Sequence, residues 1–211
     1  MTFPRLSVFA LCFAVVSLAQ DLPAPRNVRI SFLPPPLDGT ISLGIYDSGG
    51  RLVRVLHREA EVAEFELGAD ALHTAWDGKD DAGQPLPAGK YSARGYVVGD
   101  LKVEDAPRPA DLTAPPPKLS VKLVANPLAP KKKATVELSA GYDEDGTFLQ
   151  TSDGLPLFTV DESAGIINAF VTQRPDKSLD CCQNDGDTTD CFHITRVDQM
   201  MGFDAGDFEL K

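Results

Sequence analysis

The sequence predicts an all-β protein, and three observations support this prediction. Apolar and polar residues alternate over many short segments, which is the pattern of half-buried strands. Turn signals such as Asp145-Gly146 and Asp153-Gly154 separate these segments. No stretch of about ten residues has the periodicity of an amphipathic helix. These features indicate an immunoglobulin-like β-sandwich followed by a second, small β-rich unit.

The first residues have the composition of a secretory signal peptide. Arg5 precedes an apolar run that ends in Ser17-Leu18-Ala19. A short apolar core followed by small residues fits a cleaved leader better than a membrane span, which needs about 20 apolar residues. We therefore predict a signal peptide at 1–19, cleavage near Ala19 and a secreted, periplasmic or cell-envelope location. The mature chain is predicted to have no transmembrane segment.

The first predicted unit spans residues 26–103. Arg26 to Leu33 alternates as a strand should, and Pro34-Pro35-Pro36 ends it because proline lacks an amide donor. Ile41 to His57 is a predicted hairpin around Ser48-Gly49-Gly50. Three more strands are predicted, at Val62–Leu67, at Leu72–Trp76 and at Tyr91–Val98. Trp76, the only tryptophan, is the natural core anchor of this unit.

Two motifs in this unit resemble those of a known family. One runs from Ile45-Tyr46-Asp47 to Leu56, and the other comprises Trp76-Asp77-Gly78-Lys79-Asp80, Gly83 and Pro87-Ala88-Gly89-Lys90-Tyr91. On these residues, Gly39 to Val98 resembles the Ig-like domain of the flagellar hook-capping protein (FlgD type), a module of exported bacterial proteins. The resemblance implies a β-sandwich and no particular ligand. The residues for which it implies a structural role are Trp76, Asp77, Gly78, Gly83, Gly89 and Tyr91.

A proline-rich linker is predicted at 104–118, where prolines are interspersed with alanine and acidic residues. Residues 119–211 are then the second β-rich unit, whose strand and Asp-Gly rhythm resembles one blade of a β-propeller. A lone blade would leave its faces uncovered, so these residues form either a small sandwich or a partial propeller that continues in a longer chain. The segment from Gly202 has no obvious closing element, which favours the second alternative. The predicted strands are Val121–Val124, Ala134–Ala140, Thr147–Thr151, Leu157–Val160, Ile166–Thr172 and Phe192–Val197.

Three cysteines follow the predicted leader. In an exported protein, oxidation of one pair is expected, and Cys191 bridged to Cys181 or to Cys182 would close a loop of about ten residues. Zinc binding is the weaker interpretation, because adjacent cysteines are poorly placed to close a tetrahedral site.

Acidic clusters are the best candidates for a metal site. Asp180, Asp185, Asp187 and Asp190 offer the oxygen ligands that calcium prefers, although their spacing does not match a helix-loop-helix calcium loop. Apart from this candidate calcium site, no cofactor is predicted. In the turn after Trp76, we expect the aspartates to cap backbone amides.

Charge and motifs exclude several functions. The 211-residue chain has a formal net charge of −11, whereas nucleic-acid binding depends on clustered Lys and Arg, so no nucleic-acid partner is predicted. The cluster Lys131-Lys132-Lys133 is better explained as a solvated turn. No Gly-x-Ser-x-Gly elbow is present, and His193 near Cys191 would lose its thiol partner to a disulfide.

The sequence therefore predicts a protein that is not an enzyme. We expect an exported structural or interaction module that acts in spacing, docking or assembly with a protein or cell-envelope partner. Two alternatives stay open: an accessory N-terminal part of a propeller-type ligand-binding or catalytic protein, and a calcium-dependent carbohydrate-binding module. The sequence does not specify an oligomeric state.

Overall fold

The computed structural model describes residues 26–108, 119–128 and 135–211. The predicted signal peptide, the lysine cluster at 131–133 and residues 109–118 of the predicted linker lie outside these ranges.

Strands dominate the described ranges, where the only helix is a three-residue 3-10 turn at Val62–Glu64. The all-β prediction is confirmed. Within the same ranges, no helix has the length and apolar character needed to cross a membrane. The strands are β1 (Val28–Phe32), β2 (Thr40–Asp47), β3 (Leu52–Ala60), β4 (Glu66–Leu67), β5 (Leu72–Trp76), β6 (Gly89–Val98), β7 (Lys102–Ala106), β8 (Leu119–Lys122), β9 (Thr135–Asp143), β10 (Gly146–Thr151), β11 (Pro156–Asp161), β12 (Asn168–Gln173), β13 (Leu179–Asn184), β14 (Thr189–Thr195) and β15 (Met200–Leu210).

The first sandwich pairs a three-stranded sheet, in the order β1-β5-β4, with a four-stranded sheet, in the order β15-β6-β2-β3. Their inward residues share one apolar core that includes Ile45, Trp76 and Phe203. The Phe32 and Phe203 rings stack across this core with centroids 4.9 Å apart. Alternating residues of each strand therefore supply the core, as the period-two pattern predicts.

The second sandwich pairs two four-stranded sheets, in the orders β11-β10-β9-β8 and β12-β13-β14-β7. A second core lies between them and includes Leu138, Leu149, Leu179 and Ile194. Strands β8 to β14, together with β7, thus form a small sandwich with a buried core, which is the first of the two alternatives for this unit and not a single uncovered blade.

The two sandwiches exchange strands. β7, which follows the first sandwich in sequence, pairs with β14 of the second, with Val103 opposite Ile194. β15 returns to the first sandwich and pairs with β6, with Phe203 opposite Gly95. The chain therefore leaves the first sandwich after β6, builds the second, and comes back to complete the first.

This exchange corrects two predictions. The proline-rich linker was expected to start at Glu104, but Glu104 to Ala106 are the last residues of β7. The segment from Gly202 was expected to lack a closing element, but it lies in β15, which buries Phe203, Ala205 and Leu210 in the first core. In both cases, pairing with a strand about 90 residues or more away in sequence supplies the hydrogen bonds that local pattern cannot reveal.

Two other segments also differ from prediction. Val62 to Leu67 was expected to be one strand, but it divides into the 3-10 turn and β4. The Glu61 amide donates to Glu64 Oε1 at 2.7 Å and the Phe65 amide donates to the Val62 carbonyl, so local capping replaces ladder pairing. The acidic region 180–190, to which no strand was assigned, consists of β13, a short turn and β14.

The outer face of the four-stranded sheet in the first sandwich packs against β11 and the β10–β11 turn of the second. A Cβ atom on Gly44 would lie 3.2 Å from Leu155 Cδ1 of that turn, so the contact is close. Glu59 accepts hydrogen bonds from the Thr159 amide at 2.8 Å and from the Thr159 hydroxyl. Arg58 pairs with Asp143 at 2.6 Å. These contacts hold the sandwiches in one arrangement.

Candidate functional site

Trp76 anchors the turn that the sequence singled out. Its side chain is completely buried between the two sheets of the first sandwich, 5.2 Å from the Tyr91 ring and 5.7 Å from the Phe208 ring between centroids. The indole Nε1–H donates to the Lys79 carbonyl at 2.8 Å, so burial leaves no unpaired donor. The ring thus couples the core to the first residues of the turn.

The aspartates of this turn accept hydrogen bonds from backbone amides. Asp77 Oδ1 accepts from the Lys79 amide at 3.1 Å, and Asp80 Oδ1 accepts from the Gln84 amide at 2.8 Å. Asp81 Oδ1 accepts from the Val55 amide at 2.9 Å and thereby covers the free edge of β3. The carboxylates of this turn therefore act as caps, as the sequence predicted.

The remaining motif residues shape the same turn. Gly78 and Gly83 adopt positive φ values of 76° and 75°, a region that favours glycine. Gly89 is the first residue of β6. The Tyr91 hydroxyl donates to the Pro87 carbonyl at 2.8 Å, which fixes the end of the turn against the strand that follows.

The structure does not bring the four calcium candidates together as a ligand set. Asp180 lies in β13 and Asp190 in β14, whereas Asp185 accepts bonds from the Asp187 and Thr188 amides in the turn between them. Those bonds hold the pKa of Asp185 below its ordinary value. In the part of the chain that the structure describes, no group of three or more His, Cys, Asp and Glu side chains is placed to hold a metal ion.

Asp180 belongs instead to an ionic cluster on the outer face of the second sandwich. One carboxylate oxygen accepts from Arg174 Nε at 2.7 Å, and the other lies 3.0 Å from His193 Nδ1. The Asp180 side chain is only 10% exposed. The hydrogen bond to Asp180 raises the pKa of Arg174 above its ordinary value. The cluster ties the β12–β13 turn to β13 and β14.

The three cysteines of the second sandwich form one disulfide and leave one buried thiol. Of the two pairings that the sequence left open, the structure contains Cys182–Cys191, which joins directly opposed residues of β13 and β14. Cys181 points into the second core and is completely buried. Burial raises the pKa of its thiol to about 12, so the thiolate needed for nucleophilic chemistry does not form near neutral pH.

The Asp180–His193 pair is the arrangement that orients an imidazole as a general base. Because Nδ1 faces Asp180, Nε2 is the nitrogen left for another partner. The cysteines on the same face of the sheet are joined to each other, so they supply no thiolate to this imidazole. The cluster of Arg174, Asp180 and His193 therefore stabilises the sheet and contains no nucleophile.

Sequence reasoning missed a polar cluster between the sandwiches. The Asp153 carboxylate lies beside Tyr46, and the Arg94 guanidinium lies 4.5 Å from the centre of the Tyr46 ring. Burial and the nearby Asp153 carboxylate raise the pKa of Tyr46 and of Tyr96, so both stay protonated. Tyr46 belongs to the first motif, but nothing in a single sequence links it to Asp153 in the other sandwich.

A groove of about 660 Å³ lies where the sandwiches meet. Glu144, Asp145 and Glu162 line it beside Arg58 and Glu59. Its acidic side chains belong to no described group of metal ligands. The cation that lines it, Arg58, is paired with Glu59 and, across the contact between the sandwiches, with Asp143.

Comparisons with protein-family models, with curated proteins and with solved structures find no match to this chain.

Proposed function

We propose that this chain is an exported, non-catalytic module that holds binding surfaces in fixed geometry, for spacing, docking or assembly. The observation that carries the proposal is the strand exchange, in which β15 completes the first sandwich and β7 completes the second. A body whose sheets depend on each other in this way keeps its two halves at a constant distance and orientation. Such rigidity suits a spacer or an assembly element.

The engagement of the polar side chains supports the non-catalytic part of the proposal. The aspartates after Trp76 cap amides, and Asp180 is paired with Arg174 and His193. Catalytic groups need a free atom that faces substrate. Asp77, Asp80 and Asp180 are instead occupied by contacts that maintain the fold.

Export is supported by two independent features. Residues 1–19 have the pattern of a cleaved leader, and the Cys182–Cys191 bridge is of a kind that persists in oxidising compartments. The resemblance of Gly39 to Val98 to the FlgD-type Ig-like domain supports the same compartment and a bacterial source. We therefore propose that the mature protein lies in the periplasm, in the cell envelope or outside the cell.

The proposal is tested in a bacterial host that carries the native gene. Mass spectrometry of the exported fraction is expected to find a chain that begins at Gln20 and contains the Cys182–Cys191 bridge. A photoreactive residue at Leu67, whose side chain is 73% exposed on the edge strand β4, is expected to cross-link the protein to an envelope component. The same residue at Ser48, in an exposed turn, is the matched control for random collision.

Two results would overturn this proposal. One is an unprocessed chain that remains in the cytoplasm. The other is turnover of an extracellular substrate that Asp180→Asn abolishes while the variant keeps the native circular dichroism spectrum, because the ionic cluster would then be a catalytic site.

A further inference from the structure

The edges of the four sheets are protected in different ways. Edge strands expose unpaired amides and carbonyls, and proteins discourage pairing there with charges and bulges. β15 carries Asp204, Asp207 and Glu209 and has a bulge between Asp204 and Gly206. β3 has three register irregularities and is covered by Asp81. The edge strands β1, β4, β7, β8 and β11 each carry at least one charged residue.

β12 is the exception among the edge strands in the described ranges. Its sequence, Asn168-Ala-Phe-Val-Thr-Gln173, contains no charge and no proline, and its six residues pair with β13 without a register shift. No described strand pairs with its other side. The preceding residue, Ile167, is 59% exposed, so apolar surface continues past the end of the strand.

We propose that the free edge of β12 pairs with β12 of a second copy of this chain, so that two four-stranded sheets become one continuous sheet. The inference deepens the proposed function, on which its biological meaning rests, because it names one partner of the docking surface. Antiparallel strand addition supplies main-chain hydrogen bonds, and the facing side chains supply selectivity.

The charges of the edge strands favour a second copy of β12, rather than another described edge, as the strand that pairs with β12. The chain has a net charge of −11, so two copies repel each other wherever acidic edges approach. Pairing of β12 with itself brings no charged strand residue into the seam. Arg174, which follows the strand, is already bonded to Asp180. Each of the other described edges would bring at least one charge against β12 or against its own copy.

The residue pattern also suits self-pairing. An antiparallel pairing centred on Phe170 keeps the core face of both sheets on one side. It places Phe170 opposite its own copy, Ala169 opposite Val171, and Asn168 opposite Thr172. Aromatic pairs and polar pairs on opposed strands each stabilise a sheet by about 0.2–1 kcal/mol. The seam is symmetric, as expected of a twofold dimer.

The test is the oligomeric state of the purified protein and of charge variants. Neither Asn168 nor Gln173 makes a side-chain hydrogen bond within the described residues, and both side chains are exposed, so lysines there leave the fold intact. In the paired dimer, these positions of the two copies lie within about one residue of each other across the seam. N168K/Q173K is therefore expected to be monomeric. The control S48K/Q84K adds the same charge at exposed sites of the first sandwich, away from β12.

Analytical ultracentrifugation at about 100 µM protein is expected to show a dimer for the wild type and for the control, at a strength typical of small interfaces. N168K/Q173K and N168D/Q173D are each expected to be monomeric, and their mixture is expected to form a mixed dimer. Hydrogen exchange of the amides in 168–173 should slow as the wild-type concentration rises.

A wild type that stays monomeric at about 100 µM overturns the inference. So does a dimer that N168K/Q173K leaves unchanged, because the contact would then lie on another face. Either result leaves processing at Gln20 and cross-linking to an envelope component unaffected, so the failure of this inference is distinguishable from the failure of the proposed function.

Discussion

At the scale of single residues, two aromatic side chains of the first sandwich pair their polar atoms with backbone carbonyls where they enter the core. Trp76 is completely buried, yet its Nε1–H reaches the Lys79 carbonyl. Tyr91 donates to the Pro87 carbonyl in the same way. Such pairing removes most of the cost of burying a polar atom, so the aromatic rings can contribute their full apolar area to the core.

Trp76→Phe is expected to lower the free energy of unfolding by about 2–3 kcal/mol, because it leaves a cavity and removes the donor to Lys79. Urea denaturation followed by circular dichroism measures the change. Tyr142→Phe, at a side chain 44% exposed on β9, is the control and should change stability by less than about 0.5 kcal/mol. An equal effect of the two substitutions would show that the indole does not anchor the core.

His57 makes the stability depend on pH. Burial lowers the pKa of His57 below its ordinary value of 6.5, and the nearby Glu64 carboxylate opposes this shift only in part. Well above pH 6.5 the imidazole is neutral in both the folded and the unfolded chain. As the pH falls below that value, the unfolded chain binds the proton more readily than the folded one, so the free energy of unfolding decreases until the folded pKa is passed.

The expected result is that His57→Gln flattens the stability profile between about pH 7 and pH 5. Only the slope is compared, because the substitution also changes the contact with Phe65, whose ring centre lies 4.4 Å away. Thermal melts across this range measure the slope. An identical slope in the wild type and the variant would rule out a depressed pKa at this position.

At the scale of elements, the Cys182–Cys191 bridge joins β13 to β14 next to the ionic cluster. Its sequence separation is 9 residues. Cross-linking so short a loop stabilises a fold by about 2–3 kcal/mol, mainly by constraining the unfolded chain. The bridge therefore supports the sheet that also contains β7 and β12.

Cys182→Ala with Cys191→Ala is expected to reduce the free energy of unfolding by about 2–3 kcal/mol. Cys181→Ala keeps the bridge and removes only a small buried group, so its loss should be nearer 1 kcal/mol. Guanidinium denaturation compares the two variants. If the double variant were as stable as Cys181→Ala, the bridge would contribute nothing to the second sandwich.

Elements with local signals were predictable from sequence. The hairpin of β2 and β3 has alternation and a Gly-Gly turn, and β5 with the turn after Trp76 has a dense set of turn residues. β7, β13 and β15 were missed, because acidic residues, adjacent cysteines and glycines mask their alternation. Their strand conformation is fixed by partners far away in sequence, and one sequence does not reveal such pairing.

The features of the candidate site also divide into some that the sequence could predict and others that it could not. The structural roles of Trp76, Asp77 and Asp80 could be predicted, because an aspartate in a tight turn caps amides within a few residues. The bond from the Val55 amide to Asp81 could not, because it joins residues far apart in sequence. The pairing of Asp180 with His193 could not, because it depends on β13 and β14 being adjacent strands. Four nearby aspartates suggested calcium, but alternation along the strands and local capping separate their side chains.

At the scale of the whole molecule, the two sandwiches form one interdependent body. The last strand of the chain completes the first sandwich, where Phe208 lies 5.7 Å from Trp76 between ring centres. β7 completes a sheet of the second. The contact between Glu59 and Thr159 joins the two. Neither half of the sequence therefore contains all the strands of its own sandwich.

The most direct test is the fluorescence of Trp76 in a fragment comprising residues 26–103, compared with the full chain. The fragment lacks β15, so its emission is expected at the wavelength of a solvent-exposed indole, with no cooperative urea transition. Addition of a peptide spanning residues 200–211 should shift the emission to shorter wavelength. A fragment that alone shows the emission and the cooperative unfolding of the full chain would contradict the interdependence of the two sandwiches.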